Sequence, residues 1–323
     1  MEVKAELFIQ HGGTIYEPTV LEGIVWSTER QKQPGKLTFK VVKDAKLNFA
    51  EGDAVRLRIN GKNVFYGFVF KKQRDKEKII SVTAYDQLRY LKNKDTYVYT
   101  NKSAADVIKM IAADFRLKTG TVEDTGFKIA SMVEENEELF QIIQNALDMT
   151  LQNKKKMYVL YDDFGKITLK GLESMKVDLL IDEETGENFD YISSIDSNTY
   201  NKIKLTYDNE KTGKREVFIA QDSKHMNDWG ILQYFDTIQK SENGKVKADA
   251  LLKLYNNKTR NLTIKNACGD VRVRAGSMVV VMLNLGDIIA KNWMIVEKCK
   301  HEFKESEHLM TLTMKGGEFN VWW

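Results

Sequence analysis

Apolar and polar residues alternate with a period of two over six short runs near the start of the chain: Lys4–Ile9, Val20–Trp26, Leu37–Val42, Val55–Ile59, Val64–Phe70 and Ile79–Tyr85. That period sends one set of side chains to a core and the other to water, so each run predicts a half-buried strand. Turn signals at Gly12-Gly13, Pro34-Gly35, Asn60-Gly61 and Lys71–Lys78 separate them. Asn60-Gly61 predicts a tight hairpin, because both central positions need positive φ. Short strands joined by tight turns predict a small barrel or sandwich over residues 1–98.

The period then becomes helical. Ser103 and Asp106 have capping-box spacing, and Val107, Ile108, Ile111 and Phe115 follow on one face, with Gly120 as a stop signal. A second helix is predicted from about Glu137 to Gln152 on the stripe Leu139, Ile142, Ile143, Ala146 and Leu147. Met157–Tyr161 and Lys166–Lys170 flank Asp162-Asp163-Phe164-Gly165 and read as a hairpin. Residues 173–201 carry many acids, with no Lys or Arg between Lys176 and Lys202, and read as a solvated connector. Asp182–Gly186 within it lacks the alternating ligands of a calcium loop. The alternation returns over residues 202–323. Lys202–Tyr207 and Arg215–Ala220 form a predicted hairpin, and Ala248, Leu251, Leu252 and Tyr255 form a helical stripe. Leu262–Asn266 and Val271–Arg274 are strand-like. The run Met278–Leu283 reads as a strand buried on both faces. Trp293–Phe303 and Leu309–Lys315 complete the set, and the closing Trp322-Trp323 predicts docking against some surface.

The later strands repeat the earlier ones. Leu37-Thr38-Phe39-Lys40-Val41 parallels Leu262-Thr263-Ile264-Lys265-Asn266, and the glycines Gly52 and Gly276 follow fifteen and fourteen residues after Leu37 and Leu262. Each glycine stands three residues before a valine, Val55 or Val279, and each copy continues with two more strands. Gly52 and Gly276 are therefore the expected turns of a structural repeat. The fold class expected is mainly β with an α+β insert: two related small β-barrel domains flanking a helix-containing middle segment. The expected divisions are 1–98, a first β-barrel; 99–201, the insert and acidic connector; and 202–323, a second β-barrel with an inserted helix.

A chain of 323 residues exceeds one ordinary core and implies two or three domains. With 42% hydrophobic and 29% charged residues it has the composition of a folded protein. A net charge of +3 is too balanced to imply wholesale nucleic-acid or membrane binding. No signal-peptide core opens the chain, and the apolar run 278–283 is far short of a membrane span. Cys268 and Cys299 lack metal-ligand spacing and read as reduced thiols serving as small core residues.

The search for chemistry predicts no catalytic, cofactor or metal residues, and so no enzyme. His301 and His308, with Glu302 and Glu307, could meet across a hairpin. They alternate with Phe303 and Leu309 as strand surface does, and a zinc site needs more converging ligands. Thr212-Gly213-Lys214 lacks the rest of a phosphate loop. Lys71-Lys72-Gln73-Arg74 and Lys154-Lys155-Lys156 read as solvated loops without stacking aromatics. Two other functions define themselves by what they require. A cell-wall hydrolase would need carboxylates such as Asp162 and Asp182 to converge in a cleft. A barrel binding single-stranded nucleic acid would use the basic loops and exposed aromatics.

Several blocks carry a resemblance: Trp229–Phe235, the helix KADALLKLYNNKTR, GDVRVRAGS, KNWMIVEKCKHEF and LTMKGGEF. In family order over most of residues 228–319, they resemble the XkdQ/YqbQ family of phage-like tail proteins, which is related to contractile-tail baseplate hubs and to the hub part of VgrG proteins. The resemblance implies two related β-barrels, a homotrimer, and a hub joining a six-fold tail tube to a three-fold spike. It implies as partners the tail tube protein, the spike protein, other baseplate proteins and the tape measure protein, with no membrane and no sequence-specific nucleic acid. The protein would be made in the bacterial cytoplasm and carried in the assembled tail particle of a prophage or bacteriocin.

Overall fold

The computed structural model describes residues 3–196, 198–209, 213–238, 243–286, 288–304 and 306–315. Thr212 and the closing residues from Gly316, including Trp322-Trp323, lie outside them. The chain is mainly β, 54% strand and 19% helix. It divides into two compact units, one built on the residues up to Phe189 with Thr263–Met314, the other on Asp190–Leu262.

A 13-stranded sheet contains the same strand order twice. Its first copy runs Lys36–Val42, Ile79–Tyr85, Lys62–Arg74, Ala54–Ile59; its second runs Thr259–Cys268, Glu307–Lys315, Ile289–Lys304, Met278–Asn284. Numbered along its own segment, each copy reads first, fourth, third, second. Each has a strand outside its first member, Val20–Glu29 or Gly186–Ser194. Each also has one outside its second member, although Ala5–His11 pairs antiparallel there and Lys176–Ile181 parallel. The copies are joined because Val20–Glu29 also pairs with Ile289–Lys304, from Ile24↔Phe303 to Glu29↔Lys298. The pairing thus branches at Ile289–Lys304, which pairs with Met278–Asn284, Glu307–Lys315 and Val20–Glu29, and closes into no barrel among the described residues. The alternation that predicts these strands fills the cores: Leu37, Phe39, Val41, Val55 and Leu57 are buried in the first copy, Leu262, Ile264, Val279 and Val281 in the second.

The turn that opens the second strand of each copy is built alike. Gly52 and Gly276 both have φ +91°, a value that suits glycine and strains any other residue. In the first turn Asp53 N–H donates to Ala50 O, Gly52 N–H to Val69 O, and Val69 N–H to Asp53 O. In the second, Ser277 N–H donates to Arg274 O, Gly276 N–H to Val296 O, and Val296 N–H to Ser277 O. A side chain closes each: Asp53 Oδ2 accepts from Ala50 N–H at 2.6 Å, and Ser277 Oγ accepts from Arg274 N–H at 3.1 Å.

Helices Ala104–Asp114 and Leu139–Lys154 pack on a ribbon of Lys94–Lys102 and Ile129–Glu138 and on the hairpin Tyr158–Asp162/Ile167–Gly171. Ser103 and Asp106 form the predicted capping box. The first helix ends at Asp114, with Phe115 as its cap, and its closing turn is made at Arg116, short of Gly120. Arg116 adopts φ +53°, and the Leu117 and Arg116 amides turn back onto the Ala112 and Ala113 carbonyls, a Schellman closure without glycine. In the other unit, Lys202–Asn209 lies between Lys214–Gln221 and Gln233–Thr237, and helix Gly244–Tyr255 covers Ile203, Leu205 and Ala220.

Two expectations fail. Val271–Arg274 is not a strand, because Val273 N–H turns back onto Asp270 O and the Arg274–Ser277 turn follows at once. The acidic connector holds two strands, Lys176–Ile181 and Gly186–Ser194, reversed at Asp182, whose carboxylate binds the Glu184 and Thr185 amides. Its acids had masked an apolar alternation through Val177, Leu179 and Ile181.

The two glycine turns make a testable pair. A Cβ on Gly52 meets nothing within 4 Å, whereas one on Gly276 meets Val159 Cγ1 at 2.2 Å. Gly52→Ala is expected to cost only the left-handed backbone penalty, about 1–2 kcal/mol. Gly276→Ala is expected to lose roughly twice that, because packing is also violated. Urea denaturation of both variants checks this, and equal losses would contradict the packing seen at Gly276.

Candidate functional site

Polar groups concentrate where three stretches of the larger unit meet: the strand Val20–Glu29, the insert's hairpin and the Arg274–Ser277 turn. The Arg274 guanidinium stacks 4.3 Å from the Tyr161 ring centroid and 5.7 Å from that of Trp26. Ala275 N–H donates to Thr28 Oγ1 at 2.9 Å. Arg30 Nε donates to Glu297 Oε1 at 2.7 Å, both side chains nearly buried.

Two buried carboxyls lie within the electrostatic influence of Arg274. Asp86 accepts from Gly35 N–H at 2.8 Å and from Leu88 N–H at 3.0 Å. It fits only because residue 35 is glycine: a Cβ there would lie 2.4 Å from Asp86 Oδ2. Asp162 Oδ1 accepts from Gly165 N–H at 2.6 Å, while Oδ2 is buried without a partner. Burial raises both above the ordinary carboxylate range. Asp162 is pushed up to about 6, with Arg274 pulling the other way. Asp86 is raised well above the ordinary carboxylate value by burial and then by the charge of Asp162.

A second network lies beside this one and overturns an expectation. His301, read as strand surface, is fully buried, and its ring stacks on Trp26 at 4.7 Å. Its Nε2 lies 2.9 Å from Val273 O and 3.0 Å from Cys299 Sγ, and its Nδ1 lies 2.8 Å from His308 Nε2. A carbonyl can only accept, so Nε2 carries the proton and Nδ1 accepts from His308. Burial holds both imidazoles below their ordinary 6.5, His301 at about 3 and His308 at about 4. His301 lies on the same face as Cys299 and Phe303, two residues to either side, which is the buried face of its strand, so it does not alternate with Phe303 as strand surface. Among the described residues no group of three or more His, Cys, Asp or Glu could hold a metal ion. Cys299 is buried, but Cys268 is exposed and so is not the core residue expected.

The remaining sequence candidates do not assemble into a catalytic centre. Asp182 spends its carboxylate on Glu184 and Thr185, and Asp162 on Gly165. Lys72 reaches the Phe49 carbonyl and lies over its ring. Gly52 and Gly276 shape backbone and present no reactive group. Sequence reasoning passed over Asp86, Arg274, Trp26 and Tyr161. The available signal was Arg274, a charge one residue before the buried Ala275, and Asp86, an acid closing a strand of otherwise buried alternation.

The description YQBQ-like belongs to the family whose model matches residues 24–315. The phage-like element PBSX protein XkdQ of Bacillus subtilis is 33% identical over 271 residues, covering 81% of each chain. The 43 kDa tail protein of prophage MuSo2 from Shewanella oneidensis has a similar fold, with TM-score 0.71 at 13% identity, covering 98% of this chain and all of that one. An E. coli type VI secretion system component, described as similar to the T4 tail proteins gp27 and gp5, reaches TM-score 0.57 at 8% identity over 98% of this chain and 78% of its own.

Asp162 supplies a pH test. Its native proton leaves near pH 6 and the unfolded chain's near 3.8. Between these values the native state binds more protons, so this group's contribution to stability falls as pH rises. Asp162→Asn removes that dependence. The variant is expected to match the unaltered chain near pH 4 and to exceed it at pH 7 by on the order of 1–3 kcal/mol. The histidines titrate in both proteins and cancel in the difference. Urea unfolding at the two pH values checks it; a variant weaker at pH 7 than at pH 4, relative to the unaltered chain, would refute it.

Proposed function

Because this chain belongs to the YQBQ-like family, we propose that it is a structural baseplate hub of a contractile phage tail or phage-tail-like particle. The observation that carries this reading is the doubled strand order within one chain, with matching glycine turns at Gly52 and Gly276. Each copy is read as one barrel-like wall. Three chains then present six quasi-equivalent walls, which suit a six-fold tail tube, while the trimer suits a three-fold spike. Closed symmetry fixes each contact by repetition.

The copies differ where a three-fold partner needs them to. In the first, Val20–Glu29 connects to Lys36–Val42 through a short link. In the second, the corresponding strands Gly186–Ser194 and Thr259–Cys268 are separated by the smaller unit, with its sheet and helix Gly244–Tyr255. That insertion marks alternate positions around the proposed ring. The name of the PBSX relative and the fold shared with a prophage tail protein support a place in the virion, with other baseplate proteins and the tape measure protein as neighbours.

Native mass spectrometry of the purified chain, alone and with its cognate tube and spike proteins, tests the reading. A trimer, formed alone or on mixing, is expected. A chain that stays monomeric with both partners present contradicts it.

A further inference from the structure

The two copies differ at one station of their outward faces. Counting from the glycine turns, Arg56 corresponds to Val280 and Arg58 to Met282. Arg56 pairs with Tyr66 across the sheet and Val280 with Trp293, so Tyr66 corresponds to Trp293. In the first copy this station is completed within the chain. The Arg56 guanidinium lies 5.7 Å from the Tyr66 ring centroid and donates to Gln10 Oε1 at 2.9 Å, while Phe164 and Gly165 of the insert pack against the ring. In the second copy Trp293 stays 40% exposed. With Leu180 and Val280 it forms a row across three strands, beside the exposed Met282. Trp and Met are residues that interfaces concentrate, and an open apolar row of this kind marks a docking face. Its charge is cationic. Lys291 lies directly opposite Met282 and has no acidic partner among the described residues, and the Lys176 ammonium lies 5.6 Å from the Trp293 ring centroid.

The complementary surface is on the insert of the same unit. In its ribbon, Val98 and Val133 stand directly opposite one another, 65% and 62% exposed. Glu135 follows Val133 on that face by alternation, and past a shift in register Glu137 stands opposite Asp95. None of these three acids has a cationic partner among the described residues. Like charges directly opposite each other repel, so a cation brought from elsewhere eases this end of the ribbon. One face is apolar with cations and the other apolar with acids, so each repels its own kind and suits the other. Such a contact is heterologous, from one molecule to the next, the type that generates rings. We propose that the row Leu180, Val280, Trp293 and Met282 of one chain docks on the ribbon face of Val98 and Val133 of a second chain, with Lys291 against Glu135. This deepens the assembly reading and rests on it for closure into a ring.

Sedimentation velocity of the full-length chain across micromolar concentrations tests it. Concentration-dependent self-association is expected. Lys291→Glu or Glu135→Lys alone should weaken it about tenfold or more, and Val98→Ser should weaken it as well. Lys291→Glu and Glu135→Lys together in one chain should recover most of the loss, which a folding defect could not produce. All three side chains are exposed, so each variant should keep the melting temperature of the unaltered chain. A chain that is monomeric throughout, single variants that associate as the unaltered chain does, or a double variant no better than the single ones would each overturn the pairing of these faces. The trimer expected with the tube and spike proteins would still stand or fall on its own measurement.

Discussion

A single guanidinium ties together three stretches of the larger unit that are far apart in sequence. Arg274 comes from the turn that opens a strand of the second copy, Trp26 from the strand beside the first copy, and Tyr161 from the insert. Backbone amides of Gly35, Leu88 and Gly165 hydrogen-bond the buried carboxyls of Asp86 and Asp162, and the charge of Arg274 adds a smaller favourable influence, since an unpaired buried carboxylate is costly. Such clusters add little net stability compared with apolar packing. Their members come from three separate segments, so the contacts exist only when those segments are brought together. Close approach follows from the same geometry: Gly35 lies against Asp86, and Gly276 lies against Val159.

Much of this fold was legible because alternation and turn chemistry act locally. The hairpin at Asn60-Gly61 has the positive φ values its residues predict, and the Ser103 cap was readable from four residues. What local pattern could not carry was which surface meets which. His301 shares the core face with Cys299 and Phe303, two residues to either side, so a period of two places it inside; what the local pattern did not give was its partner, Trp26, 275 residues earlier in the sequence. The junction around Arg274 was illegible for the same reason, since its members lie on three segments with no shared motif. The acid-rich strands Lys176–Ile181 and Gly186–Ser194 were hidden by charge. Edge positions tolerate acids, so composition concealed the alternation there.

Duplication within one chain lets a protein vary one copy while keeping the other as scaffold. Here the strand order and the hydrogen bonds of the glycine turns are held constant, while a whole unit is spliced between two strands of the second copy. The buried junction sits between the copies and the insert, so a change on one copy's surface need not disturb how the copies join.

Native-state hydrogen exchange on Arg274→Met tests this junction most directly. If the guanidinium secures the union of the two copies, protection should fall together at Leu37–Val41, in the first copy, and at Val279–Val281, in the second. Loss of protection confined to residues 274–277 would contradict the account, and would make Arg274 a local ornament of its own turn.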